Sequence, residues 1–280
     1  MKLYTNGCSF SHGTQPEHEY NYTYEYNGFE YISPSRQRSV WTEQLGKSYK
    51  VHFNHARSGT SSDRMARTTL SFIQHLIDTQ DDLSDWVFVI QATQPARKEI
   101  LFNSGYFGRI HYIDEPNSAI PHFFDYAYDV ANIIGDTFGN AELHDQLQQQ
   151  QDEMRSDEVF TSGVKNYTLV VEEDEEIMLR HLKNLLLVVN ILERYNIKYI
   201  LTGMDQTCIW PDYLQTNTDV TKNLANMLPQ DKIVLDIVSV IDNKVEGKNR
   251  VSPEDSHPNV YGHTMFSRYI FNELKKRNYL

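Results

Sequence analysis

This 280-residue sequence has little of several features that define whole classes of protein. Its two cysteines, Cys8 and Cys208, are too few for a disulfide framework and lack the spacing of a metal site. No run approaches the roughly 18 apolar residues of a membrane helix, and the N-terminus lacks the apolar core of a secretory signal. These absences predict a soluble protein of a reducing compartment such as the cytoplasm, with no membrane partner.

Positive charge is also scarce. The chain has 26 basic against 38 acidic residues, which gives a formal charge of -12. Such a surface repels phosphate, so we expect no nucleic-acid partner. The length fits one domain with a sizeable core, and we assign residues 1–280 to a single domain. None of these properties predicts an oligomeric state.

Short apolar runs alternate with helical patterns along most of the chain. Strands are predicted at Lys2 to Thr5, Val51 to Asn54, "DWVFVIQAT", "KYILTGM" and "KIVLDIV", and helices at Val40 to Leu45, Asp63 to Thr79, Asp174 to Tyr195 and "NVYGHTMFSRYIFNELKKR". "DWVFVIQAT" is continuously apolar, as is typical of a strand buried on both faces of a parallel sheet. The order of elements predicts an α/β fold, a three-layer α/β/α sandwich around a central parallel sheet.

Two stretches interrupt this order. Thr14 to Ser39 is predicted to be a long loop, because Pro16 and Pro34 disfavour regular structure. Its tyrosines, including Tyr22 and Tyr24, could stack on sugar rings or could pack on their own domain. Residues 100–171 follow the central strand and have no clear period, so we interpret them as an insertion or cap.

Four polar motifs follow or face predicted strands: "NGCSFSHG", "NHARSGTSSD", "QATQPARKE" and "EDSHPNVYGH". Ligands of open parallel sheets bind beyond the carboxyl ends of the strands, so these motifs are predicted to meet at one edge. In order and spacing they resemble the blocks of the SGNH hydrolase superfamily, the GDSL-type esterases. The resemblance excludes the Thr14 to Ser39 loop and the insertion, and it implies a flavodoxin-like sandwich and ester hydrolysis.

The resemblance also implies roles for individual residues. Ser9 occupies the position of the nucleophilic serine, and Gly59 that of the glycine whose NH helps to bind the oxyanion, with Asn54 and Ser58 bracing the loops. The family's Gly-x-Asn-Asp is replaced by "ATQPARKE", which leaves Gln94 or Thr93 as the third oxyanion donor beside the Ser9 NH. In the last block His257 matches the base, with Asp255 as its acid and Glu254 in reserve.

The residue chemistry agrees with such a site. A serine needs a base to remove its proton, and the base needs a third group to fix its tautomer. Asp255 lies two residues before His257 and could reach the Nδ1 of that ring, leaving Nε2 to face Ser9. Cys8 is a rival nucleophile, but adjacent residues at a strand end point in opposite directions, and we favour Ser9.

We therefore expect a serine esterase that acts on a small-molecule or polysaccharide ester, most plausibly an O-acyl group such as acetyl on a carbohydrate, without metal or organic cofactor. Arg97 and Glu99 are either a buried pair that shapes the site or a solvated pair, and Arg97 is a candidate substrate-binding residue. Two other functions stay open: acyl transfer by the same residues, and a non-catalytic carbohydrate-binding or structural role. A metal held by Asp255, His257 and His263 is a further alternative.

Overall fold

A computed structural model describes most of the chain outside the insertion. The described residues are 1–12, 21–26, 29–34, 40–56, 60–95, 97–101, 107–111, 122–124, 174–209, 218–242 and 257–280.

A parallel sheet of four strands forms the centre of the fold. Its strands are β1 (Lys2–Asn6), β4 (His52–Asn54), β5 (Trp86–Ala92) and β9 (Lys198–Gly203), in the order β4-β1-β5-β9. All three pairings are parallel, and every residue of β5 is buried. A parallel strand between two others has both faces covered, which explains why the β5 sequence is apolar without alternation.

Helices cover both faces of this sheet. They are α1 (Ser9–His12), α2 (Trp41–Gly46), α3 (Ser62–Asp78), α4 (Asp174–Arg194), α5 (Asp219–Asn226), α6 (Ile237–Asp242) and α7 (Val260–Lys276). On one face α3 packs against α4, and on the other α2 packs against α7. The predicted three-layer α/β/α class is confirmed. In the described residues, no helix is both long and apolar enough to cross a membrane.

Side chains that alternate along β1 fix the two faces. Tyr4 stacks on Phe72 of α3 with ring centroids 4.6 Å apart. Thr5 points to the other face, where its Oγ1 lies 3.0 Å from Nε2 of His52. The Nδ1 of His52 in turn lies 3.4 Å from Glu43 of α2. Because successive side chains of a strand point to opposite faces, a one-residue shift of β1 would turn the side chains that face one helical layer towards the other.

The predicted loop at Thr14 to Ser39 is wrong for part of its length. Residues Asn21–Tyr26 (β2) and Phe29–Pro34 (β3) form an antiparallel pair in which Tyr24 faces Tyr31. The sequence carried the signal, since Asn27-Gly28 separates two runs rich in tyrosine and other strand-forming residues. Pro34 ends β3 instead of preventing it, as proline is tolerated at strand ends.

The predicted strand "KIVLDIV" is also wrong. Only Ile233 bridges to Leu201 of β9, and the Val234 NH donates to the Leu201 carbonyl at 2.9 Å. Asp236 then accepts hydrogen bonds from the NH and hydroxyl of Ser239, which starts α6 at Ile237. A buried capping carboxylate therefore overrides the strand propensity of this segment.

The chain between β5 and α4 contains a small antiparallel sheet of β6 (Arg97–Leu101), β7 (Phe107–His111) and β8 (His122–Phe124). It begins three residues before the predicted insertion. The greater part of residues 100–171 lies outside the described residues, so its assignment as a cap stays a prediction.

We expect His181 of α4 to make stability depend on pH. Burial lowers the pKa of His181 to about 4, and its Nε2–H donates to the Cys208 carbonyl at 2.7 Å. The unfolded imidazole takes up a proton near its ordinary pKa of about 6.5, so its stabilising contribution is complete above that value and is lost as the pH falls towards 4. Urea denaturation should show wild type losing about 2 kcal/mol more than His181→Gln between pH 7 and pH 5. Equal pH dependence in both proteins would contradict this account.

Candidate active site

The candidate site begins at the carboxyl end of β1, where the chain turns tightly into α1. Gly7 is required at this turn by close packing. A Cβ there would lie 2.7 Å from Ser11 Oγ and 2.8 Å from Gln91 Cβ, and both distances are too short for non-bonded atoms. The turn places Ser9 as the first residue of α1, at the edge of the sheet where ligands of parallel folds bind.

The structure brings Ser9 together with His257, 248 residues later in the chain. Ser9 Oγ lies 2.8 Å from His257 Nε2. The His257 ring stacks on Phe10, with centroids 4.7 Å apart and an interplanar angle of 28°. With its proton on Nδ1, the imidazole can accept a hydrogen bond from the Ser9 hydroxyl, which is the geometry that general-base activation requires.

Cys8 has a different environment from its neighbour. It is fully buried, and its Sγ lies 3.6 Å from Gln91 Oε1. Burial raises the pKa of the Cys8 thiol, and the positive charge of Arg97 offsets part of that rise. A thiol with a raised pKa has little thiolate at neutral pH and is a poor nucleophile.

Asn6, the last residue of β1, holds the end of this strand in place through its side-chain amide. Its Oδ1 accepts a hydrogen bond from the Gly7 NH at 2.9 Å. Its Nδ2 lies within 3.2 Å of four acceptors: Tyr4 Oη, the Met65 carbonyl, Thr68 Oγ1 and Thr69 Oγ1. The amide therefore ties the turn before Ser9 to the first half of α3.

Asn54 supports the other side of the turn, as the sequence predicted. Its Nδ2 donates to the Ser11 carbonyl at 3.1 Å and to Thr42 Oγ1 at 3.0 Å, while its Oδ1 accepts from the Ala56 NH at 3.1 Å. The amide therefore connects the end of β4 to α1 and α2.

The loop after β5 carries three of the predicted residues. Thr93 is fully buried, and its hydroxyl donates to the Thr60 carbonyl. The single hydroxyl proton of Thr93 is therefore taken by a hydrogen bond that joins the loop after β5 to the loop after β4. Gln94 is partly exposed, and its backbone carbonyl accepts a hydrogen bond from the backbone NH of Arg97 at 3.2 Å. Arg97 is buried, and its Nη1 donates to Thr93 Oγ1 at 3.5 Å.

Other predicted residues lie outside the described residues. They are Asp255, Glu254, Gly59 and Ser58. The backbone of Tyr22 and Tyr24 lies in β2, but their side chains are outside the description, as is the side chain of Glu99. The roles assigned to these residues stay predictions.

His263, named in the alternative metal site, lies in the first turn of α7 and is buried. Burial, and to a smaller extent the neighbouring His257, lowers the pKa of His263 to about 4. His263 is therefore neutral at physiological pH. In the described part of the chain no three His, Cys, Asp or Glu side chains cluster in a way that could hold a metal ion.

Sequence reasoning missed two residues that shape the site. Gln91, at 0% exposure, accepts a hydrogen bond from Ser11 Oγ at 2.6 Å through its Oε1. Phe10 provides the surface on which His257 stacks. A glutamine inside an otherwise apolar central strand was the available signal for the first, since buried polar side chains there need a partner.

No protein-family model matches the sequence, and no curated protein is similar to it. Solved structures are similar along almost the full chain. A lipolytic protein of the G-D-S-L family from Desulfitobacterium hafniense DCB-2 is 11% identical, covers 98% of this chain and 99% of its own, and has a TM-score of 0.43. The psychrotrophic esterase EstA from a Pseudoalteromonas species is 10% identical, with 98% and 97% coverage and a TM-score of 0.43.

A third structure, TesA, is 12% identical, covers 99% of each chain and has a TM-score of 0.45. These likenesses concern the course of the chain and do not assign a family or an activity to it.

We expect Asn6→Ala to destabilise the protein more than loss of a single helix cap. The substitution strands the Gly7 NH and removes the amide from its acceptors in a buried place, which should lower the free energy of unfolding by roughly 2 to 4 kcal/mol. The matched control is Ser61→Ala, which removes the one side-chain bond that caps α3, from the Arg64 NH, and should cost about 1 kcal/mol. Urea denaturation of both variants checks the difference, and equal losses would contradict the bracing role of Asn6.

Proposed function

We propose that this protein is a serine esterase of the SGNH type, with Ser9 as nucleophile and His257 as base. The observation that carries the proposal is the 2.8 Å contact between Ser9 Oγ and His257 Nε2 at the carboxyl edge of the parallel sheet. Asp255 is the proposed partner of His257 Nδ1, on the sequence pattern alone, and Glu254 is its alternative.

The chemistry follows from that contact. His257 Nε2 takes the Ser9 proton as Oγ attacks the carbonyl carbon of the ester, and a tetrahedral oxyanion forms. When the carbon–oxygen bond to the alcohol breaks, the alcohol leaves with the proton from His257. Water then attacks the acyl-enzyme by the same route, and releases the acid and free Ser9.

The oxyanion needs fixed donors in a site from which water is excluded. The Ser9 NH, at the start of α1, is one proposed donor, and the Gly59 NH is the second. Of the two candidates for the third, Gln94 is preferred, because the hydroxyl proton of Thr93 is already donated to the Thr60 carbonyl. Loss of one such donor typically lowers the rate by about 10²-fold to 10³-fold.

For the substrate we propose an O-acyl group, such as acetyl, on a carbohydrate. The support is compositional: tyrosine recurs at alternate positions of β2, at residues 22, 24 and 26. Aromatic rings offer apolar faces on which sugar rings stack. The proposed esters are those of small molecules or polysaccharides.

Reaction with a fluorophosphonate tests the nucleophile without a guess at the substrate. We expect intact mass to rise by one adduct, and peptide mapping to place it on Ser9, because the probe reacts with activated serines. Ser9→Ala and His257→Ala should abolish labelling, while Cys8→Ala should still be labelled. A folded wild-type protein without adduct would favour a non-catalytic binding role. An adduct on Cys8 would show that Cys8, and not Ser9, is the nucleophile.

The acid of the triad is tested by a matched pair. Asp255→Asn should lower kcat by about 10⁴-fold on an activated ester, since the histidine loses the group that fixes its tautomer. Glu254→Gln should leave kcat within about threefold, because it leaves Asp255, the proposed acid of the triad, in place. The opposite ranking in steady-state assays would transfer the role to Glu254.

A further inference from the structure

Arg97 is a buried cation whose charge the described residues leave unpaired. The residue is 8% exposed. Within the described part of the chain, its guanidinium makes one hydrogen bond, from Nη1 to Thr93 Oγ1, at the outer limit of 3.5 Å. Its buried Nε has no acceptor there. An arginine carries five N–H donors and keeps its charge throughout the pH range of folded proteins, so most of its capacity is unused.

Three other partly buried cations of the described residues are paired with carboxylates. Lys2 Nζ lies 2.6 Å from Asp81, Arg277 lies 2.5 Å from Glu273, and Arg180 lies 3.7 Å from Asp63. No carboxylate of the described residues pairs with Arg97 in this way. Removing an ion from water is costly unless an opposite charge and hydrogen bonds compensate it, so an unpaired buried guanidinium indicates a ligand that completes it.

Arg97 lies at the edge of the sheet where the candidate nucleophile is found. Arg97 follows the turn at the carboxyl end of β5, and its charge acts on the thiol of Cys8, the residue before Ser9. Thr93, which accepts the hydrogen bond from Arg97, is itself bonded to the carbonyl of Thr60 in the loop after β4. The guanidinium therefore borders the edge at which Ser9 and His257 meet.

From these observations we propose that Arg97 binds a carboxylate of the substrate, so that the ester acted on at Ser9 is an anionic one, such as an acylated acidic sugar. This proposal rests on the serine esterase function proposed above. A planar guanidinium matches a carboxylate with two parallel N–H···O bonds, which fixes the orientation of the ligand as well as its charge. The formal charge of -12 repels anions from the surface at large, so a local cation such as Arg97 is needed to bind an anionic substrate.

The kinetic test uses ester pairs that differ in one charge. 4-Acetoxybenzoate and its methyl ester place the charge on the alcohol side of the scissile bond; mono-4-nitrophenyl succinate and its methyl ester place it on the acyl side. For each pair the ratio of kcat/KM, anionic over neutral, is measured in wild type, Arg97→Gln and Arg180→Gln. Comparing ratios between proteins cancels the intrinsic reactivity of the esters.

We expect the ratio of at least one pair to fall by about 10-fold to 100-fold in Arg97→Gln, the range for loss of a charge-assisted hydrogen bond. Arg180→Gln removes a neighbouring positive charge, which is paired with Asp63 and donates to the Pro95 and Arg97 backbone carbonyls at 3.4 Å, and should keep the wild-type ratio. Arg97→Lys keeps the charge but not the planar fork; an intermediate ratio is expected, and this variant replaces Arg97→Gln if the latter does not fold. A ratio that falls equally in the Arg180 variant would show a general field effect and overturn the proposal.

A binding measurement separates this proposal from the catalytic one. 4-Acetamidobenzoate and its methyl ester are amide analogues, and calorimetric titration of each into wild type and Arg97→Gln requires no turnover. If the anion binds more tightly than its methyl ester, this preference is lost in Arg97→Gln and the protein hydrolyses no ester, the anion site is supported and the esterase function is contradicted. Ester hydrolysis with ratios unchanged in Arg97→Gln, and no Arg97-dependent binding, would overturn the anion site and keep the esterase.

Discussion

The hydrogen bonds of one buried side chain, Asn6, hold together the parts of this protein that matter for its site. The amide joins the Gly7 NH, the hydroxyl of Tyr4 and the first half of α3. Buried polar groups are nearly always hydrogen-bonded, so Asn6 favours the arrangement of β1, its turn and α3 that satisfies its amide. The direction in which Ser9 leaves the sheet follows from that arrangement.

From this constraint the site is built by elements that are far apart in the sequence. Ser9 comes from the first strand and His257 from the segment before the last helix, 248 residues away. A parallel sheet makes the meeting possible, because the carboxyl ends of its strands lie at one edge and each connection returns across a face. Asn54 and Thr93 then connect the loops at that edge to one another. The result is a polar site held by an apolar core.

Which features could be predicted depended on the range of the interactions that determine them. Helices α3, α4 and α7 and strand β5 followed from local periodicity, and the structure confirms them with shifts of at most one residue at their ends. The hairpin of β2 and β3 was not predicted, because Pro16 and Pro34 are unfavourable to strands, whereas its turn signal is the dipeptide Asn27-Gly28 alone. At "KIVLDIV" the strand propensity was real, but capping by Asp236 and a single bridge at Ile233 decided the outcome.

The sequence by itself determined the fold class and the chemical types available at the site, because hydrophobic period and residue identity are local properties of the chain. It nominated Ser9 and His257 but could not fix the distance between them, and it left Gln94 and Thr93 as alternatives. The tertiary structure alone decided that the Thr93 proton is used by the Thr60 carbonyl, that Cys8 is buried and that Arg97 is left without a carboxylate among the described residues. Burial and pairing depend on which distant segments pack together, and only the folded chain fixes those neighbours.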